Sequence, residues 1–467
     1  MKLKATNHLL FLVLAFIPLS SHAQKEVAVW LTNADRSALF QLQTPPLRLT
    51  TSSPGDFVIT VDDAKTYQSM DGFGFALTGG SAQLLMRMDP AKRDAILHEL
   101  YADNGNNIGV SYIRVSVGAS DMNDHVYSYD DIPEGQTDPS MTKFSLEPDR
   151  ADVIPILKQI LAINPKIKIL ASPWSAPLWM KTSGVARGGV LKPEYFSAYA
   201  TYFVKYIQGM QAEGIPIDAL TIQNEPLNEK NTPSMLMLES ELDDFIKNDL
   251  GPAFVKASIK TKIVLYDHNL DHPLYPLSIL RDPAANKYID GTGFHLYGGT
   301  VDAMTEVHNA FPRKNLYFTE QSVTDHSGSP TMNLSKPVAR IIVGVSRNWS
   351  KNILLWNLAA DPQNGPHTND GGCTGCVGAI TIDGDNVIRQ VAYYTLAHAS
   401  KFVRPGSLRI GSNDLDQLPN VAFKTATGLK VLIVSNVSAA VQTFTVRDHA
   451  DAFTTSLNAG SVATYVW

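Results

Sequence analysis

The chain has 467 residues, with 39 Lys and Arg against 45 Asp and Glu, a formal net charge of −6 and 44% hydrophobic residues. This length allows one large α/β domain of about 300 residues and a smaller one, and both can bury a core without a cofactor or an oligomeric partner. The sequence has no basic stripe, which argues against a nucleic acid or an anionic membrane surface as partner and fits a neutral substrate.

Residues 1–23 have the pattern of a signal peptide. Two lysines precede the apolar run 9–19, and small residues stand before Gln24, where a signal peptidase would cut. The run is too short to span a bilayer, and no Cys follows the expected cut to carry a lipid anchor. We expect export to the periplasm or the outside of the cell. We expect no transmembrane segment in the remainder.

Residues 24–67 read as short β segments, and the chain then changes character. Glycines in the sequence GFGFALTGG at 72–80 flank a short apolar strand. Glycines after a strand can cradle a phosphate, but this spacing matches neither the dinucleotide fingerprint nor the P-loop. Nucleotide binding is therefore excluded as a function of this motif.

From residue 68 to residue 402, strand-like and helix-like segments alternate. The predicted strands begin at Phe73, Tyr112, Ile167, Leu220, Ile263, Gly293, Leu316 and Asn352. Eight strands interleaved with helices are typical of a (β/α)8 barrel, the α/β fold that we predict for this region.

Residues 421–467 alternate apolar and polar side chains and show no helical pattern, which predicts an antiparallel β domain over 403–467. The strands in 24–67 have no place to pair inside a closed barrel. We therefore expect the two chain ends to build one β-sandwich beside the barrel.

Two of the predicted barrel strands end in a glutamate. Glu225 closes the sequence LTIQNE, and Pro226 after it lacks the N–H that a further ladder position needs. Glu320 closes the sequence NLYFTE. A single glutamate at a strand end is more often a solvated turn residue or a helix cap. In a barrel, however, the C-terminal strand ends converge on one face, where paired carboxylates can act on a sugar.

The other strand ends carry aromatic and hydrogen-bonding side chains, a mixture that suits a pyranose. Each has a plainer reading: the tryptophans could fill the top of the barrel, the histidine could be a satisfied core residue, and the aspartate could cap a turn. The candidates are Arg114, Asp121, Trp174, Asn224, His295, Tyr297 and Trp356.

Seven motifs, in order, carry a resemblance to a known family. They are DGFGFALTGGSA, IRVSVGASDM, LASPWSAPLWMKT, LTIQNEP, GFHLYGG, LYFTEQS and LLWNLAADPQNGP. From about residue 68 to the C-terminus the chain resembles glycoside hydrolase family 30, in its glucosylceramidase and endo-β-1,6-glucanase type. The resemblance implies a barrel with an attached β-sandwich and hydrolysis of β-glycosides with retention. We expect no cofactor and no metal.

The resemblance also implies roles for the strand-end residues. Glu225 resembles the acid/base and Glu320 the nucleophile, with their carboxyl groups about 5 to 5.5 Å apart as retention requires. It implies that Arg114 stabilises the nucleophile and that the other candidates bind the substrate. These are Asp121, Trp174, Asn224, His295, Tyr297 and Trp356. We expect Arg114 to keep Glu320 ionised, and burial and the charge of Glu320 to raise the pKa of Glu225.

Cys373 and Cys376 are the two cysteines, in the sequence GGCTGC. Zinc binding would call for a second such pair, and redox work for a reducing compartment. A disulfide that clamps a glycine-rich loop is the preferred reading, and two free thiols are the alternative.

The sequence thus predicts a secreted retaining hydrolase of β-D-glucosidic bonds, in β-1,6-glucan, in a glycolipid such as glucosylceramide or in short β-glucosides. The alternatives are a β-xylosidase or β-fucosidase specificity on the same site, and a non-catalytic carbohydrate-binding barrel. An isomerase or aldolase is disfavoured because no strand-end Lys has a Schiff-base context. Hydrolysis of chromogenic β-glucosides separates these classes.

Overall fold

The computed structural model describes Met1 and residues 26–50, 57–325 and 331–467. Apart from Met1, the predicted signal peptide lies outside this described part. Within it, no helix is both long and apolar enough to cross a membrane.

Four strands precede the barrel and belong to the second domain. They are β1 (Glu26–Thr32), β2 (Gln41–Leu42), β3 (Leu47–Arg48) and β4 (Phe57–Ser69).

Eight parallel strands then close into a barrel in chain order, each hydrogen-bonded to the next and the last to the first. They are β5 (Gly72–Leu77), β6 (Tyr112–Ser116), β7 (Lys168–Ser172), β8 (Ala219–Thr221), β9 (Lys262–Leu270), β10 (Ile289–Gly299), β11 (Asn315–Glu320) and β12 (Ser350–Leu355). The predicted (β/α)8 barrel is confirmed.

The helices lie in the segments between the strands. Two of these segments also contain a π-helical stretch between two α-helices, at residues 246–250 and 338–343. They are α1 (Gly79–Arg87), α2 (Pro90–Tyr101), α3 (Val153–Ile163), α4 (Phe196–Ala212), α5 (Glu239–Phe245), α6 (Gly251–Lys256), α7 (Leu274–Arg281), α8 (Pro283–Asn286), α9 (Asp302–Ala310), α10 (Ser335–Pro337), α11 (Gly344–Arg347) and α12 (Val391–Ser400).

The glycine-rich motif at the start of the barrel serves close packing. A Cβ on Gly74 would lie 1.6 Å from the carbonyl oxygen of Tyr112 on the neighbouring strand, and one on Gly79 would lie 1.9 Å from Asn123. Larger residues at these positions would push β5 and the start of α1 away from the β6 side of the barrel. The glycines therefore have a structural reason that involves no phosphate.

The interior of the barrel is filled by a layer of side chains below the C-terminal strand ends. It consists of Tyr112, Leu170, Ala219, Val264, Tyr317 and Leu354, all fully buried. Side chains on a strand alternate between its two faces, so residues two positions further along point into the same interior. Those residues include Arg114 on β6, Ser172 on β7 and Thr221 on β8, which form the floor of the candidate site.

After the barrel, β13 (Ala359–Ala360), β14 (Ile380–Asp383) and β15 (Asn386–Arg389) form a small sheet. The last strands are β16 (Leu408–Ser412), β17 (Asn420–Lys424), β18 (Lys430–Ser435), β19 (Gln442–Asp448), β20 (Asp451–Leu457) and β21 (Val462–Val466).

The N-terminal strands join the C-terminal ones in a single curled sheet. β1 pairs with β21, and β4 lies between β16 and β19. This confirms a β-sandwich domain built from both chain ends. One feature differs from the prediction, because β4 and β19 run parallel and the sheet is therefore mixed rather than wholly antiparallel. The domain limits at residues 67 and 402 stay a prediction.

Candidate active site

Glu225 stands in a strained backbone conformation just beyond β8. That strand ends at Thr221, earlier than predicted, yet the Glu225 N–H still donates to the carbonyl oxygen of Asp267 at 3.0 Å. Its φ of 46° lies in the left-handed region, which costs a non-glycine residue about 1 to 3 kcal/mol. The turn directs the carboxylate to the centre of the barrel mouth. There Glu225 Oε2 accepts a hydrogen bond from the Asn228 side chain at 2.6 Å.

Glu320 ends β11 and is held by a cation and a phenol. Arg114 Nη1 donates to its Oε2 at 2.5 Å, and the Tyr297 hydroxyl donates to its Oε1 at 3.0 Å. Arg114 is fully buried, and its Nη2 also donates to Asn224 Oδ1 at 2.7 Å. Both oxygens of Glu320 are thus fixed in position, and the guanidinium supplies a charge that favours the carboxylate.

Asp267 is the residue of the site whose role the sequence analysis missed. Its carboxylate accepts hydrogen bonds from Arg114, from Ser172, from Thr221 and from a ring nitrogen of His295, at 2.7 to 3.0 Å. Arg114 and His295 outweigh the opposing effect of burial and hold the pKa of Asp267 well below its usual range.

A β-bulge places Asp267 in this position. The pairing of β9 with β10 skips a residue between Tyr266 and His268, and both Tyr266 and Asp267 have positive φ. A bulge re-aims the side chain of the extra residue. The strand-end position of Asp267 is visible in the sequence YDHNL, but nothing in that sequence shows the bulge.

His295 links the two catalytic candidates. Its ring lies between Asp267, at 3.0 Å from Nε2, and Glu225, at 3.2 Å from Nδ1, and the same Nδ1 is 3.9 Å from Glu320. The side chain is fully buried. With carboxylates on both ring nitrogens, the ring can hold two protons and bear a positive charge.

The two glutamates lie close together. One carboxylate oxygen of Glu225, one of Glu320 and a ring nitrogen of His295 all lie within 4.8 Å of one another. Retaining glycosidases have carboxyl groups about 5 to 5.5 Å apart, whereas inverting ones leave roughly 6.5 to 9.5 Å for a water. The observed geometry agrees with the short separation of a retaining enzyme.

The protonation of the free site differs from our expectation. Burial acts to raise the pKa of Glu225, but the hydrogen bond and charge of His295 outweigh it and lower this pKa to about 2. Burial raises the pKa of Glu320, and Arg114 and His295 offset this only in part. Burial acts to lower the pKa of His295, but the charges of Glu320, Asp267 and Glu225 raise it to about 9. The proton expected on Glu225 therefore resides on His295 in the ligand-free site.

This arrangement predicts a pH profile. Below about pH 9 the free site holds the proton that Glu225 must deliver, and above it that proton is lost, so kcat/KM should fall as pH rises through this region. In His295→Gln the proton must stay on Glu225 itself, so the alkaline limb should move to lower pH. Measurements of kcat/KM between pH 4 and 10 on an alkyl β-glucoside, whose leaving group needs the proton, test this, and an unmoved alkaline limb in the variant would contradict it.

A cavity of about 290 Å³ opens over the two glutamates. Asp121, Trp356 and Tyr297 line it together with both carboxylates and the segment 371–376. The pKa of Asp121 is raised to about 8 by burial and by the charges of Glu320 and Glu225, so its carboxyl group is protonated at neutral pH. A protonated carboxyl can donate to one sugar hydroxyl and accept from another.

The structure brings all nine strand-end candidates together, but not all of them line the cavity. Trp174 lies behind the wall, with its ring centroid 5.4 Å from that of Trp356 and 4.8 Å from the Arg114 guanidinium carbon. Asn224 is bonded to Arg114, and His295 lies beneath the carboxylates. These three were predicted to bind the substrate. In the ligand-free structure Trp174 and His295 contact residues that line the cavity, and Asn224 supports Arg114, which in turn holds Glu320.

Cys373 and Cys376 are joined by a disulfide and line the same cavity. Two backbone hydrogen bonds attach their loop to neighbouring loops. Thr368 N donates to the carbonyl oxygen of Asp121 at 3.0 Å, and Thr232 N donates to the carbonyl oxygen of Gly371 at 3.3 Å. Cys376 packs with the two tryptophans of the wall. The disulfide thus shapes the active face.

Reduction of this disulfide should cost little stability. Its ring is so short that little chain entropy is removed from the unfolded state, so the loss should stay well under the ~3 kcal/mol expected for a loop of about 15 residues. Denaturant unfolding with and without reductant measures the difference. Global unfolding on reduction would contradict this prediction.

Glu225, His295 and Glu320 are also close enough for their donor atoms to surround a metal ion. The neighbouring charges oppose this, because the Arg114 guanidinium already occupies one oxygen of Glu320 and a protonated His295 offers no lone pair. The donor set fits a hydrogen-bonded acid/base pair better than a cation.

A (β/α)8 barrel that carries two carboxylates at this separation on its C-terminal face defines a retaining glycosidase. Comparison with known families agrees. Residues 70–403 match the model described as the glycosyl hydrolase family 30 TIM-barrel domain, and residues 406–465 match that of the family 30 beta sandwich domain. The chain belongs to glycoside hydrolase family 30, a family of retaining glycosidases, and the resemblance found in the sequence is confirmed.

Individual relatives carry two kinds of names. The chain is 34% identical over 409 residues to an endo-1,6-beta-D-glucanase of Neurospora crassa, covering 83% of each chain. It is 30% identical over 438 residues to the lysosomal acid glucosylceramidase of Mus musculus, covering 88% of this chain and 83% of that one. Among solved structures, the endo-beta1,6-glucanase BT3312 superposes with a TM-score of 0.88 at 36% identity, over 95% of this chain and 99% of that one.

Proposed function

We propose that this glycoside hydrolase is an endo-β-1,6-glucanase that cleaves β-1,6-linked glucan by double displacement. The observation that carries the mechanism is the placement of Glu225 and Glu320 around His295, whose Nδ1 lies 3.2 Å from Glu225 and 3.9 Å from Glu320. The choice of glucan rests on the names of relatives that align over most of both chains.

In the first step, Glu320 attacks the anomeric carbon of the sugar held against Asp121 and Trp356. The bond from this carbon to the glycosidic oxygen breaks, and Glu225 gives that oxygen its proton. As the Glu320 charge is lost to the new ester bond, the cluster retains less negative charge to hold a proton on His295. His295 Nδ1 lies 3.2 Å from Glu225 Oε1, so its proton can pass to Glu225 before or during this step.

In the second step, Glu225 removes a proton from a water that has replaced the leaving group. The water attacks the anomeric carbon, the ester to Glu320 breaks, and the product has the configuration of the substrate. The proton taken by Glu225 can return to His295, so the network ends as it began. Arg114 and Tyr297 stabilise Glu320 as it regains its charge.

A product profile tests this proposal. The purified protein, with Glu320→Gln as inactive control, is incubated with β-1,6-glucan, glucosylceramide and 4-nitrophenyl β-D-xyloside in parallel. Early release of a ladder of β-1,6-linked oligosaccharides from the glucan is expected. Glucose as the sole early product would show that the enzyme cleaves from the chain end and would contradict endo action. Preferential cleavage of glucosylceramide or the xyloside would overturn the proposed substrate.

We further propose that the protein acts outside the cytoplasm. The support is the pattern of residues 1–23, with its lysines, apolar run and small residues before Gln24. Expression of the full chain followed by cell fractionation and N-terminal sequencing tests this. An extracytoplasmic protein that begins at Gln24 is expected, and a cytoplasmic protein that keeps Met1 or Lys2 would contradict the proposal.

A further inference from the structure

A second cavity of about 170 Å³ lies beside the catalytic one. It is bordered by the loops after β6 and β7 and by Pro233 in the loop after β8. Two of these loops border both cavities. In the loop after β6, Ala119 borders the second cavity and Asp121 the catalytic one. In the loop after β8, Pro233 borders the second cavity and Asn231 the catalytic one. Two residues span at most about 7 Å, so the two cavities are neighbours on one face of the barrel.

The lining of the second cavity suits a sugar ring. Tyr127 and Trp179 are both half-buried, and their polar atoms are engaged elsewhere: the Tyr127 hydroxyl donates to Asp149 at 2.7 Å, and Trp179 Nε1 donates to Asp130 Oδ2 at 3.0 Å. Each ring also packs against another aromatic ring, Trp179 on Tyr195 at 4.8 Å between centroids and Tyr127 on His125 at 5.4 Å, and the part that borders the cavity is apolar. Ser128 and Asp131 also border the cavity, where the Ser128 hydroxyl donates to the Asp131 carboxylate at 2.6 Å.

A buried cation holds the walls of this cavity in place. Lys181 is about 1% exposed, and its Nζ donates to the carbonyl oxygens of Val185, Ala186 and Ser234 at 2.8 to 2.9 Å. Ala186 lines the cavity, and Ser234 follows the lining residue Pro233. The three N–H groups of one ammonium thus join the loops after β7 and β8. Such preorganisation reduces the cost of ordering loops when a ligand binds.

We propose that this second cavity is a subsite for a further glucosyl unit of the glucan, with Trp179 as its platform. The inference rests on the proposed function, because only a substrate of several sugar units can occupy both cavities. It predicts that catalytic efficiency rises with chain length, and that this rise depends on residues that do not touch the scissile bond.

The test compares kcat/KM for a β-1,6-linked glucotetraose with kcat/KM for 4-nitrophenyl β-glucoside. Trp179→Ala removes the platform, and Ala186→Trp fills the cavity. In each variant the ratio of tetraose to aryl glucoside should fall roughly fivefold to tenfold, the loss expected for one aromatic contact. The matched control is Trp349→Ala, whose indole stacks on His308 at the far end of the barrel and whose loss should leave the ratio unchanged.

The outcomes separate the two proposals. If the wild-type protein does not cleave the tetraose but cleaves the aryl glucoside, the proposed glucan and its subsite both fall. If it cleaves the tetraose and neither Trp179→Ala nor Ala186→Trp lowers the ratio, the subsite alone is overturned. Thermal unfolding of each variant is measured beside Trp349→Ala. Because the readout is a ratio within one preparation, partial loss of folded protein does not change it.

Discussion

Glu320→Ala should lower turnover of β-glucosides by roughly four orders of magnitude or more, since a catalytic nucleophile cannot be replaced by water in the same position. The structure also shows how the Glu320 carboxylate is held. Arg114 and Tyr297 hold both Glu320 oxygens, so this carboxylate is fixed in one position. The measurement is kcat for 4-nitrophenyl β-glucoside and for β-1,6-glucan in the variant and the parent.

The matched control is Glu306→Ala, which removes an exposed glutamate from α9 and should leave kcat unchanged. Added azide provides a second check, because it can enter the space that the Glu320 carboxylate vacates and attack the anomeric carbon from that side. The product should then be the α-glucosyl azide, formed with a single inversion. A β-azide from Glu320→Ala, or near-parental turnover without azide, would show that Glu320 is not the nucleophile.

The barrel could be predicted from the sequence because each of its strands is a local apolar segment with a helix after it. The closing of the ring then follows from strand number and order. The joining of the N-terminal strands to the C-terminal sheet could be inferred only by elimination, since these strands have no partner inside a closed barrel. The parallel pairing of β4 with β19 was not predictable, because alternating side chains fix the face of a strand and not the direction of its neighbour.

The two glutamates could be located because both stand at strand ends, and the strand ends of a barrel meet. Their protonation could not, because it depends on groups that meet only in the folded chain. Asp267 reaches the centre through a bulge in β9, and its contact with His295 Nε2 orients that ring toward Glu225. The charge of Arg114, expected to act on Glu320 alone, is shared with Asp267. The sequence shows which ionisable groups are present, but it does not show which of them are in contact.

Glu225→Ala should affect substrates according to their leaving groups. An activated aryl glucoside needs no proton for departure, so the first step should persist and the glycosyl-enzyme on Glu320 should accumulate, giving a burst of aryl alcohol followed by slow turnover. A glucan or an alkyl glucoside needs the proton, and its kcat/KM should fall by about 10²- to 10⁴-fold. Rapid-mixing kinetics and mass spectrometry of the trapped intermediate measure both effects.

Azide should then restore turnover of the aryl glucoside in Glu225→Ala, because a small anion can occupy the space beside Asn228 and His295 that the carboxylate leaves. A protonated His295, freed from Glu225, would favour that anion. Azide attacks the glycosyl-enzyme from the face that Glu225 serves, opposite to Glu320, so two inversions give the β-glucosyl azide. Nuclear magnetic resonance of the isolated product assigns its anomeric configuration. An α-azide from Glu225→Ala would mean that the two glutamates have exchanged roles. If the variant shows neither a burst nor rescue by azide, Glu225 is needed for the first step even when the leaving group requires no proton.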